Sequence, residues 1–355
     1  MAAMMAPSMA AAPMGAAEDN MEAEEEEELL AHAQQQPMPL TRIEGIDGLK
    51  SKDIRILMDA GYHTVESVAR ATLKDLQLVN GISEQKADKL KAAAASLVPT
   101  GFTSAFALAE TQAAMLKVHT GCKALDEILG GGIEQGSITE VYGEYRTGKS
   151  QLCHTLAVTC QLSPDKGGGE GKCLYIDTEG TFRPGRLAPI AERFKMNVQD
   201  VLENIAYARA HNTEHQTDLL AHAAAMMADS RFSLVIVDSV TNLYRSEYNG
   251  RGELSARQVH LGRFLRQLTR IAEEFQVAVL VTNQVQAVVD GGMAYGPTFK
   301  PIGGHILAHA TTTRLQLQKG RGDTRKAKLI CNPGLPERDA LFGITEAGVD
   351  DANDK

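Results

Sequence analysis

The sequence has 355 residues, which is enough for two domains or one large one. It has no run of 18 or more apolar residues, which a membrane-spanning helix requires, so we expect no membrane partner. Its net charge of −9 argues at first sight against nucleic acid as a partner. The five cysteines show no CxxC spacing, which favours reduced thiols in a cytosolic or nuclear protein over disulfides or a zinc site.

The negative charge is concentrated at the N-terminus. Residues 1–41 hold eight acids and no Lys or Arg, which leaves 37 acids against 36 bases in the remainder. The body of the chain is therefore nearly neutral. Because an acidic low-complexity segment cannot bury enough apolar surface to fold, residues 1–40 are predicted to form a disordered tail. No basic residue precedes Arg42, so we expect neither a secretory nor a mitochondrial leader.

A small helical unit is predicted over residues 41–98. Helix N-caps are predicted at four residues: Ser51, Thr64, Thr72 and Ser83. The stretch NGISEQKADKLKAA combines a Gly-Ile turn, a helix start at Ser83 and the lysines Lys86, Lys89 and Lys91. This pattern resembles a helix-hairpin-helix, which can hold DNA phosphates on backbone amides. An interaction module with a solvated basic face is the alternative.

The stretch GEYRTGKS has the spacing of a phosphate-binding loop. It lies between a predicted strand, SITEVYG, and a predicted helix, SQLCHTLAVTCQL. In such a loop glycines let the backbone approach a phosphate, and N–H groups at the helix N-terminus point at the anion. Lys149 offers charge to the β- and γ-phosphates, and Ser150 offers a hydroxyl to Mg²⁺. The predicted nucleotide-binding residues here are Gly143, Glu144, Tyr145, Arg146, Thr147, Gly148, Lys149, Ser150 and Gln151.

From Val118 onward predicted strands and helices alternate, which indicates an α/β domain with a mostly parallel sheet. Ligands of such sheets gather at the C-terminal ends of strands. Asp177, Glu179, Asp238, Asn283 and Gln284 stand at these predicted ends. With the loop they predict a nucleoside triphosphatase: Asp238 holds Mg²⁺, Glu179 orients or deprotonates the attacking water, and Gln284 senses the γ-phosphate. Simple capping of strand ends is the alternative.

Several stretches together resemble one family: GEYRTGKSQLCHTLAVTCQL, YIDTEGTFRP, LVIVDS, NGRGELSARQ, TNQV and KPIGGHILAHATTTRL. From about Thr41 to Asp351 the chain is similar to the eukaryotic RecA/RadA-type DNA strand-exchange recombinases. CHTLAVTCQL is more similar to the ubiquitous, mitotic type than to the meiosis-specific type. The resemblance implies a RecA-like P-loop ATPase core at 118–355, behind a helix-hairpin-helix-type domain at 41–98 and a linker at 99–117.

The same resemblance implies an activity. Family members are DNA-dependent ATPases of the nucleus that form helical, ATP-bound filaments on single-stranded DNA. The filament pairs that strand with a homologous duplex in recombination and double-strand break repair. Because ATP lies between neighbouring protomers, ATP binding and polymerisation are expected to be coupled. The implied partners are single- and double-stranded DNA, further copies of the chain, mediators with Phe-x-x-Ala-type motifs and recombinase paralogues.

The resemblance also assigns DNA contacts to two loops, through Arg245, Tyr248, Arg251, Val289 and Asp290. Arginine pairs with phosphate and glycines let a loop follow a strand, so binding is expected to be sequence-independent and salt-sensitive. Gln284 precedes the second loop and is expected to couple it to the nucleotide. The basic turn KGRGDTRKAK is expected to guide the duplex through Arg325, Lys326 and Lys328.

Assembly is expected to depend on Phe102 and Ala105, which match the Phe-x-x-Ala pattern that links protomers of this family. His309 and Pro336 match residues that reach the nucleotide of an adjacent protomer. Two other readings stay open. A hexameric RecA-fold helicase or circadian-type ATPase shares the phosphate loop but lacks GRGELSARQ. A non-catalytic paralogue that serves as an ATP-binding scaffold is disfavoured by the joint presence of Glu179 and Gln284.

Overall fold

The computed structural model describes residues 37–248, 250, 252–287 and 299–352. The predicted DNA contacts Arg251, Val289 and Asp290, and residues 1–36 of the predicted tail, lie outside the described residues. The α-helices of the described chain are α1 Ser51–Asp59, α2 Val65–Arg70, α3 Leu73–Gln77, α4 Glu84–Leu97, α5 Ala105–Ala113, α6 Lys123–Ile128, α7 Lys149–Thr159, α8 Leu187–Arg193, α9 Val198–Glu203, α10 Thr213–Asp229, α11 Asn242–Glu247, α12 Leu254–Phe275 and α13 Gly304–Ala310. The strands are β1 Lys117–Val118, β2 Ile133–Glu134, β3 Ile138–Gly143, β4 Lys172–Asp177, β5 Ile205–Arg209, β6 Phe232–Asp238, β7 Ala278–Asn283, β8 Val285–Ala287, β9 Phe299–Pro301, β10 Thr313–Lys319, β11 Thr324–Cys331, β12 Asp339–Thr345 and β13 Gly348–Asp351.

The helical unit consists of two short 3₁₀ turns, Leu40–Ile43 and Ile46–Gly48, followed by α1 to α4. Three of the four predicted N-caps are confirmed, because the side chains of Thr64, Thr72 and Ser83 each accept a bond from the backbone N–H three residues on. The prediction for Ser51 is wrong. Its hydroxyl donates to the Glu44 carboxylate instead, and α1 begins at Ser51 itself.

The lysines that follow Ser83 are engaged within the helical unit. Lys86 donates to the Asp53 carboxylate at 2.6 Å, and this bond holds the pKa of the nearly buried Asp53 below its usual value. Lys89 reaches a backbone carbonyl at 3.5 Å, and Lys91 donates to the carbonyl of Ala71. These contacts brace the helices against one another, so the basic side chains are not simply a solvated face.

The α/β domain is built on a nine-stranded sheet in the order β13-β12-β11-β10-β3-β7-β6-β4-β5. Strands β10, β3, β7, β6, β4 and β5 run parallel, while β11, β12 and β13 continue the sheet as an antiparallel meander. The mostly parallel sheet predicted from the alternation of strands and helices is confirmed. Strand β5 lies at one edge of this sheet, with β4 as its neighbour.

Apolar clusters cover the sheet and fill the helical unit. One cluster includes Leu152 and Leu156 of α7, and another includes Phe264 and Leu268 of α12. The helical unit has its own cluster of buried apolar side chains. The contacts group the helical unit and the sheet domain together, whereas Phe102–Met115 belongs to a different compact unit. Among the described residues, no helix has the length and apolar character needed to cross a membrane.

Candidate functional site

The predicted phosphate loop connects β3 to α7, as its flanking pattern indicates. Gly148 has φ +103°, a left-handed conformation that favours glycine. A Cβ at Gly143 would lie 2.3 Å from the carbonyl oxygen of Leu317, so only glycine fits there. The loop lines a cleft of about 500 Å³, whose wall contains every residue from Gly143 to Gln151. The chain thus presents the N-terminus of α7 and its loop to one cavity, which is how proteins hold phosphate groups.

Lys149 lies at the start of α7, and its ammonium donates to the carbonyl oxygens of Gly143 and Glu144, both at 2.9 Å. Burial lowers the pKa of Lys149, while the carboxylates of Asp238 and Glu179 oppose this effect by favouring the charged form. The amine therefore stands between the loop and two acids. This is the position from which a lysine can neutralise phosphate oxygens.

Asp238 ends β6 and lies almost fully buried at the wall of the cleft. One carboxylate oxygen accepts from the Tyr175 hydroxyl at 3.0 Å, and the other accepts from the Thr282 hydroxyl. Ser150 lines the same cleft. A hydroxyl and a carboxylate are the hard oxygen ligands that suit Mg²⁺, which needs few protein ligands when phosphates and waters complete its shell. The described residues include no cluster of three or more His, Cys, Asp or Glu that could form a closed metal cage.

Glu179 and Gln284 meet at the open side of the cleft. One Glu179 carboxylate oxygen accepts from Gln284 Nε2 at 2.7 Å and from the Ser239 hydroxyl at 2.9 Å. The Gln284 carbonyl oxygen in turn accepts from an Arg245 guanidinium nitrogen at 3.3 Å. Arg245 lies on α11, at the start of the first predicted DNA loop. A continuous chain of hydrogen bonds therefore joins the cleft to that loop.

Asn283, which we placed at a strand end with Gln284, does not line the cleft. Its side chain accepts from the Thr241 hydroxyl at 2.7 Å and donates to Glu140 and to the carbonyl of Ile302, each also at 2.7 Å. The Ile302 N–H returns a bond to the carbonyl of Gln284 at 3.0 Å. These contacts close the base of the second predicted DNA loop, where β8 pairs with β9.

The cleft wall also includes residues that sequence reasoning missed: His154, Thr181, Arg183, Arg186 and Val285. His154 lies one helical turn after Ser150, and its Nδ1 contacts the Ser150 carbonyl at 2.5 Å. Its Nε2 accepts from the backbone N–H of Arg183 at 3.1 Å. Burial lowers the pKa of His154, which agrees with a neutral ring that donates through Nδ1 and accepts through Nε2. The sequence could have indicated His154 by its position, because a residue four places after Ser150 lies on the same face of α7.

Two predicted nucleotide contacts, His309 and Pro336, are exposed and are not among the described residues that line the cleft. Tyr248, in the first predicted loop, stacks on Tyr244 with ring centroids 6.2 Å apart. Phe102 is fully exposed and lies three residues before Ala105, where the helix α5 begins, and the sequence did not predict this helix within the linker.

The basic turn joins the antiparallel strands β10 and β11, and the three cations expected to guide the duplex have partners within the chain. Lys326 pairs with Asp339 at 2.6 Å, and Lys328 pairs with Glu337 at 3.0 Å. Arg325 donates to the carbonyl of Arg146 in the phosphate loop at 3.2 Å. Such exposed pairs are weak, so DNA phosphates can compete for the lysines.

Comparison with known proteins agrees with this geometry. Residues 111–352 match the family model described as Rad51, and residues 40–96 match the model described as SAM-like helix-hairpin-helix tandem. The chain belongs to the Rad51 family. Its RecA-like core and its helix-hairpin-helix N-terminal region, both expected from the sequence, are thereby confirmed.

Curated relatives extend over most of the chain. The DNA repair protein RAD51 of Mycosarcoma maydis is 59% identical over 319 residues, 90% of this chain and 94% of that protein. The DNA repair protein rhp51 of Schizosaccharomyces pombe is 57% identical over 316 residues, 89% of this chain and 86% of that protein. The DNA repair protein RAD51 homolog 1 of Arabidopsis thaliana is 57% identical over 319 residues, 90% of this chain and 93% of that protein. These Rad51 relatives confirm the similarity to the ubiquitous rather than the meiosis-specific type.

Proposed function

We propose that this chain is an ATP-dependent DNA strand-exchange recombinase of the nucleus, which acts in homologous recombination and double-strand break repair. It polymerises as a helical filament on single-stranded DNA and pairs that strand with a homologous duplex. The observation that carries the proposal is the chain of hydrogen bonds Glu179–Gln284–Arg245, which joins the nucleotide cleft to the first DNA loop. Membership of the Rad51 family supports the same conclusion.

The cleft binds ATP through the loop Gly143–Gln151, and Lys149 neutralises the β- and γ-phosphates. Ser150 and Asp238 would hold Mg²⁺, which would supply positive charge to offset the charge of the phosphates. Glu179 orients or deprotonates the attacking water, because it is the carboxylate at the open side of the cleft next to Gln284.

Gln284 couples the two ligands. Its amide touches Glu179 on one side and Arg245 on the other, and its backbone carbonyl closes the second loop through Ile302. When Arg245 engages a DNA phosphate it withdraws from Gln284, which frees the amide to follow the γ-phosphate. Coupling free energy is reciprocal, so ATP strengthens DNA binding by the same factor by which DNA strengthens ATP binding. Arg245, Tyr248 and Arg251 in the first loop, with Val289 and Asp290 in the second, contact the single strand.

Assembly joins the Phe102 segment of one copy to the sheet of the next. Strand β5 is one edge of the nine-stranded sheet; Ala206 on it is only partly buried, and Met226 of α10 is 43% exposed. An added strand can pair with this edge while Phe102 enters the apolar surface beside it and Ala105 packs closely. A head-to-tail contact of this kind does not close, so it yields a helix of indefinite length. His309 and Pro336 then contact the nucleotide of the neighbouring copy.

The same contact explains the partners. Mediators with Phe-x-x-Ala-type motifs compete for the β5 edge, and recombinase paralogues extend or cap the filament. We propose the domain organisation 1–40 tail, 41–98 helix-hairpin-helix domain, 99–117 linker and 118–355 ATPase core, which the matches to residues 40–96 and 111–352 support. A non-catalytic scaffold is disfavoured because Glu179 and Gln284 are in contact at the cleft.

Electron microscopy tests this function. The full chain with single-stranded DNA and a non-hydrolysable ATP analogue is expected to form extended nucleoprotein filaments, and Phe102→Glu is expected to give mostly monomers. Burying a phenylalanine is worth about 1.5–3 kcal/mol, and a glutamate additionally forces a charge into an apolar surface.

Leu78→Glu is the matched control, since Leu78 is also exposed, at 73%, but lies in the helical unit and not in the linker. It should leave filaments intact. Closed rings in place of filaments would support the helicase alternative. Long filaments formed by Phe102→Glu would contradict the proposed assembly contact. Nucleotide binding is measured on the same samples, because this variant does not itself test the ATP site.

A further inference from the structure

The turn that carries Glu179 is held by the carboxylate of Asp177. Asp177 ends β4 and is completely buried. One of its oxygens accepts from the backbone N–H groups of Glu179 at 2.8 Å and Gly180 at 2.6 Å, and the other accepts from Phe182 N–H at 3.2 Å. Three backbone donors of one turn therefore converge on a single side chain, and the backbone of Glu179 is fixed by it.

Two side chains of the edge strand β5 hold this carboxylate in turn. Arg209 donates to one Asp177 oxygen at 3.0 Å, and the Tyr207 hydroxyl donates to the other at 3.3 Å. The rest of the Tyr207 ring stacks on Phe182 with centroids 4.9 Å apart and an interplanar angle of 22°. The β4–β5 register pairs Tyr175 with Tyr207 and Asp177 with Arg209, so both side chains reach the turn from one strand. Glu179 is thus supported from outside the cleft.

A buried carboxylate needs a compensating charge. Arg209 is the cation that pairs with Asp177 among the described residues, and its side chain is 34% exposed while that of Asp177 is fully buried. Without Arg209 the carboxylate keeps its negative charge with only dipoles around it, so it is displaced toward water. This displacement weakens the bonds to the turn. The water-activating carboxylate of Glu179 then loses its position, and a displacement of about 1 Å can cost about 10²-fold in rate.

We propose that Arg209 and Tyr207 are positioning residues for ATP hydrolysis, which act on Glu179 through the Asp177 carboxylate. This inference rests on the proposed function, because it takes Glu179 as the residue that activates water. It extends the hydrolytic machinery to the edge strand at which the next copy is proposed to dock. Neither side chain lines the cleft, so both are expected to affect turnover and not nucleotide affinity.

The test measures kcat for ATP hydrolysis together with the Kd of a fluorescent ATP analogue. Arg209→Gln is expected to lower kcat by about tenfold to 10²-fold with Kd unchanged. Arg209→Lys keeps the charge and should recover most of the loss. Tyr207→Phe removes one hydrogen bond but keeps the ring stack, so its loss should be smaller than that of Arg209→Gln.

Arg193→Gln is the matched control. Arg193 pairs with Asp350 at 2.8 Å and, like Arg209, joins two strands or helices of the core, but it has no bond to the Glu179 turn. It should lower thermal stability and leave kcat unchanged. If Arg209→Gln loses stability as Arg193→Gln does but retains kcat, Arg209 is merely structural and the inference is wrong.

A double-mutant cycle decides whether the effect passes through Glu179. In a Glu179→Gln background, Arg209→Gln should cause no further loss of kcat, because the group it positions is already inactive. A full additional loss would overturn the proposed route. If Glu179→Gln hydrolyses ATP at the wild-type rate, the proposed role of Glu179 itself is wrong. If Glu179→Gln lowers kcat but Arg209→Gln does not, Glu179 keeps its proposed role and only the positioning role of Arg209 is wrong. If Arg209→Gln still forms filaments with a non-hydrolysable ATP analogue, loss of assembly is excluded as the cause of its lower kcat.

Discussion

In the helical unit nearly all buried side chains of the described residues are apolar, with Asp53 and Thr64 as the polar exceptions. The central sheet instead buries Glu140 within β3, and Asp177 and Asp238 at the ends of β4 and β6. Apolar burial is distributed over many side chains, each worth about 1.5–3 kcal/mol, and tolerates small changes. A buried charge depends on one or two partners, so removing one partner leaves the other uncompensated. Single substitutions at the strand ends should therefore have larger effects than substitutions of caps in the helical unit.

The largest expected effect is on turnover. Glu179→Gln keeps the size of the side chain and its hydrogen bonds but removes the base, which typically costs about 10²–10⁴-fold in rate. ATP binding and filament formation should remain, because Lys149 and the phosphate loop are unchanged. Steady-state ATP hydrolysis on single-stranded DNA measures the rate, and a fluorescent ATP analogue measures binding.

Lys149→Ala is the contrasting variant in the same cleft. It removes the charge that faces the phosphates, so nucleotide binding itself should fail, and filaments should fail with it. Equal turnover by wild type and Glu179→Gln would assign Glu179 to capping of the strand end, which was the alternative left by the sequence.

The second prediction concerns a buried ion pair between two neighbouring strands, β3 and β10. Glu140 is fully buried on β3, and Arg314 of β10 donates to it at 2.6 Å while also lying over the Tyr142 ring. Arg314→Leu leaves the Glu140 carboxylate without its charge partner and should lower the free energy of unfolding by about 3–5 kcal/mol. Denaturant-induced unfolding followed by circular dichroism measures the loss.

The double variant Arg314→Leu with Glu140→Leu is the control for that pair. Replacing a buried pair by apolar side chains of similar volume is often neutral, so most of the lost stability should return. A double variant as unstable as Arg314→Leu alone would show that packing around Arg314, and not the unpaired charge, causes the loss.

Much of the site could be predicted because its residues are local in sequence. The phosphate loop has fixed spacing between a strand and a helix. Asp238 directly follows an apolar run and Gln284 comes three residues after one, so pattern and position were sufficient. The parallel sheet followed from the alternation of elements. The caps Thr64, Thr72 and Ser83 followed from residue type, whereas Ser51 satisfies the same rule but bonds to Glu44 instead.

The remaining contacts depend on strand order, which no local pattern contains. Ser239 meets Glu179 because β6 lies beside β4, and Arg209 meets Asp177 because β5 lies on the other side of β4. Likewise the sequence placed Lys86 in a helix-hairpin-helix pattern or on a solvated basic face, but Asp53, 33 positions earlier, is its partner across the helical unit. These pairs become visible only when the tertiary arrangement is known.

The third prediction concerns the contact between the helical unit and α12. Glu274 accepts a hydrogen bond from Thr64, the buried cap of α2. Burial raises the pKa of Glu274 from 4.5 to about 7, and the charge of Glu66 adds to this, while Arg70 and Arg270 oppose it. The folded state therefore binds this proton more tightly than the unfolded state. The stabilisation from protonation is complete below the unfolded pKa and is lost as the pH rises through about 7.

Glu274→Gln isolates this contribution, since glutamine is neutral at every pH. The stability of wild type relative to Glu274→Gln should fall by about 1.4 kcal/mol for each pH unit between the two pKa values, and should level off above neutral pH. Denaturant unfolding of both proteins at a series of pH values measures the difference. A constant difference across that range would show that Glu274 does not change its proton affinity on folding.

The smallest effect is expected at a helix cap in the helical unit. The Ser83 side chain accepts from the backbone N–H of Lys86 at 3.4 Å at the exposed start of α4. Ser83→Ala should destabilise the first turn of α4 by about 1 kcal/mol, because one backbone donor loses its partner. Thr64→Ala should cost more, since the Thr64 hydroxyl both caps α2 and donates to Glu274. Hydrogen exchange of the amides of α2 and α4 in the full chain measures each local change.

Ser83→Asp is the control, because aspartate keeps an acceptor and its charge favours a helix N-terminus. If Ser83→Ala and Thr64→Ala speed exchange equally, the bond to Glu274 adds nothing to the cap, and the prediction for Thr64 is wrong.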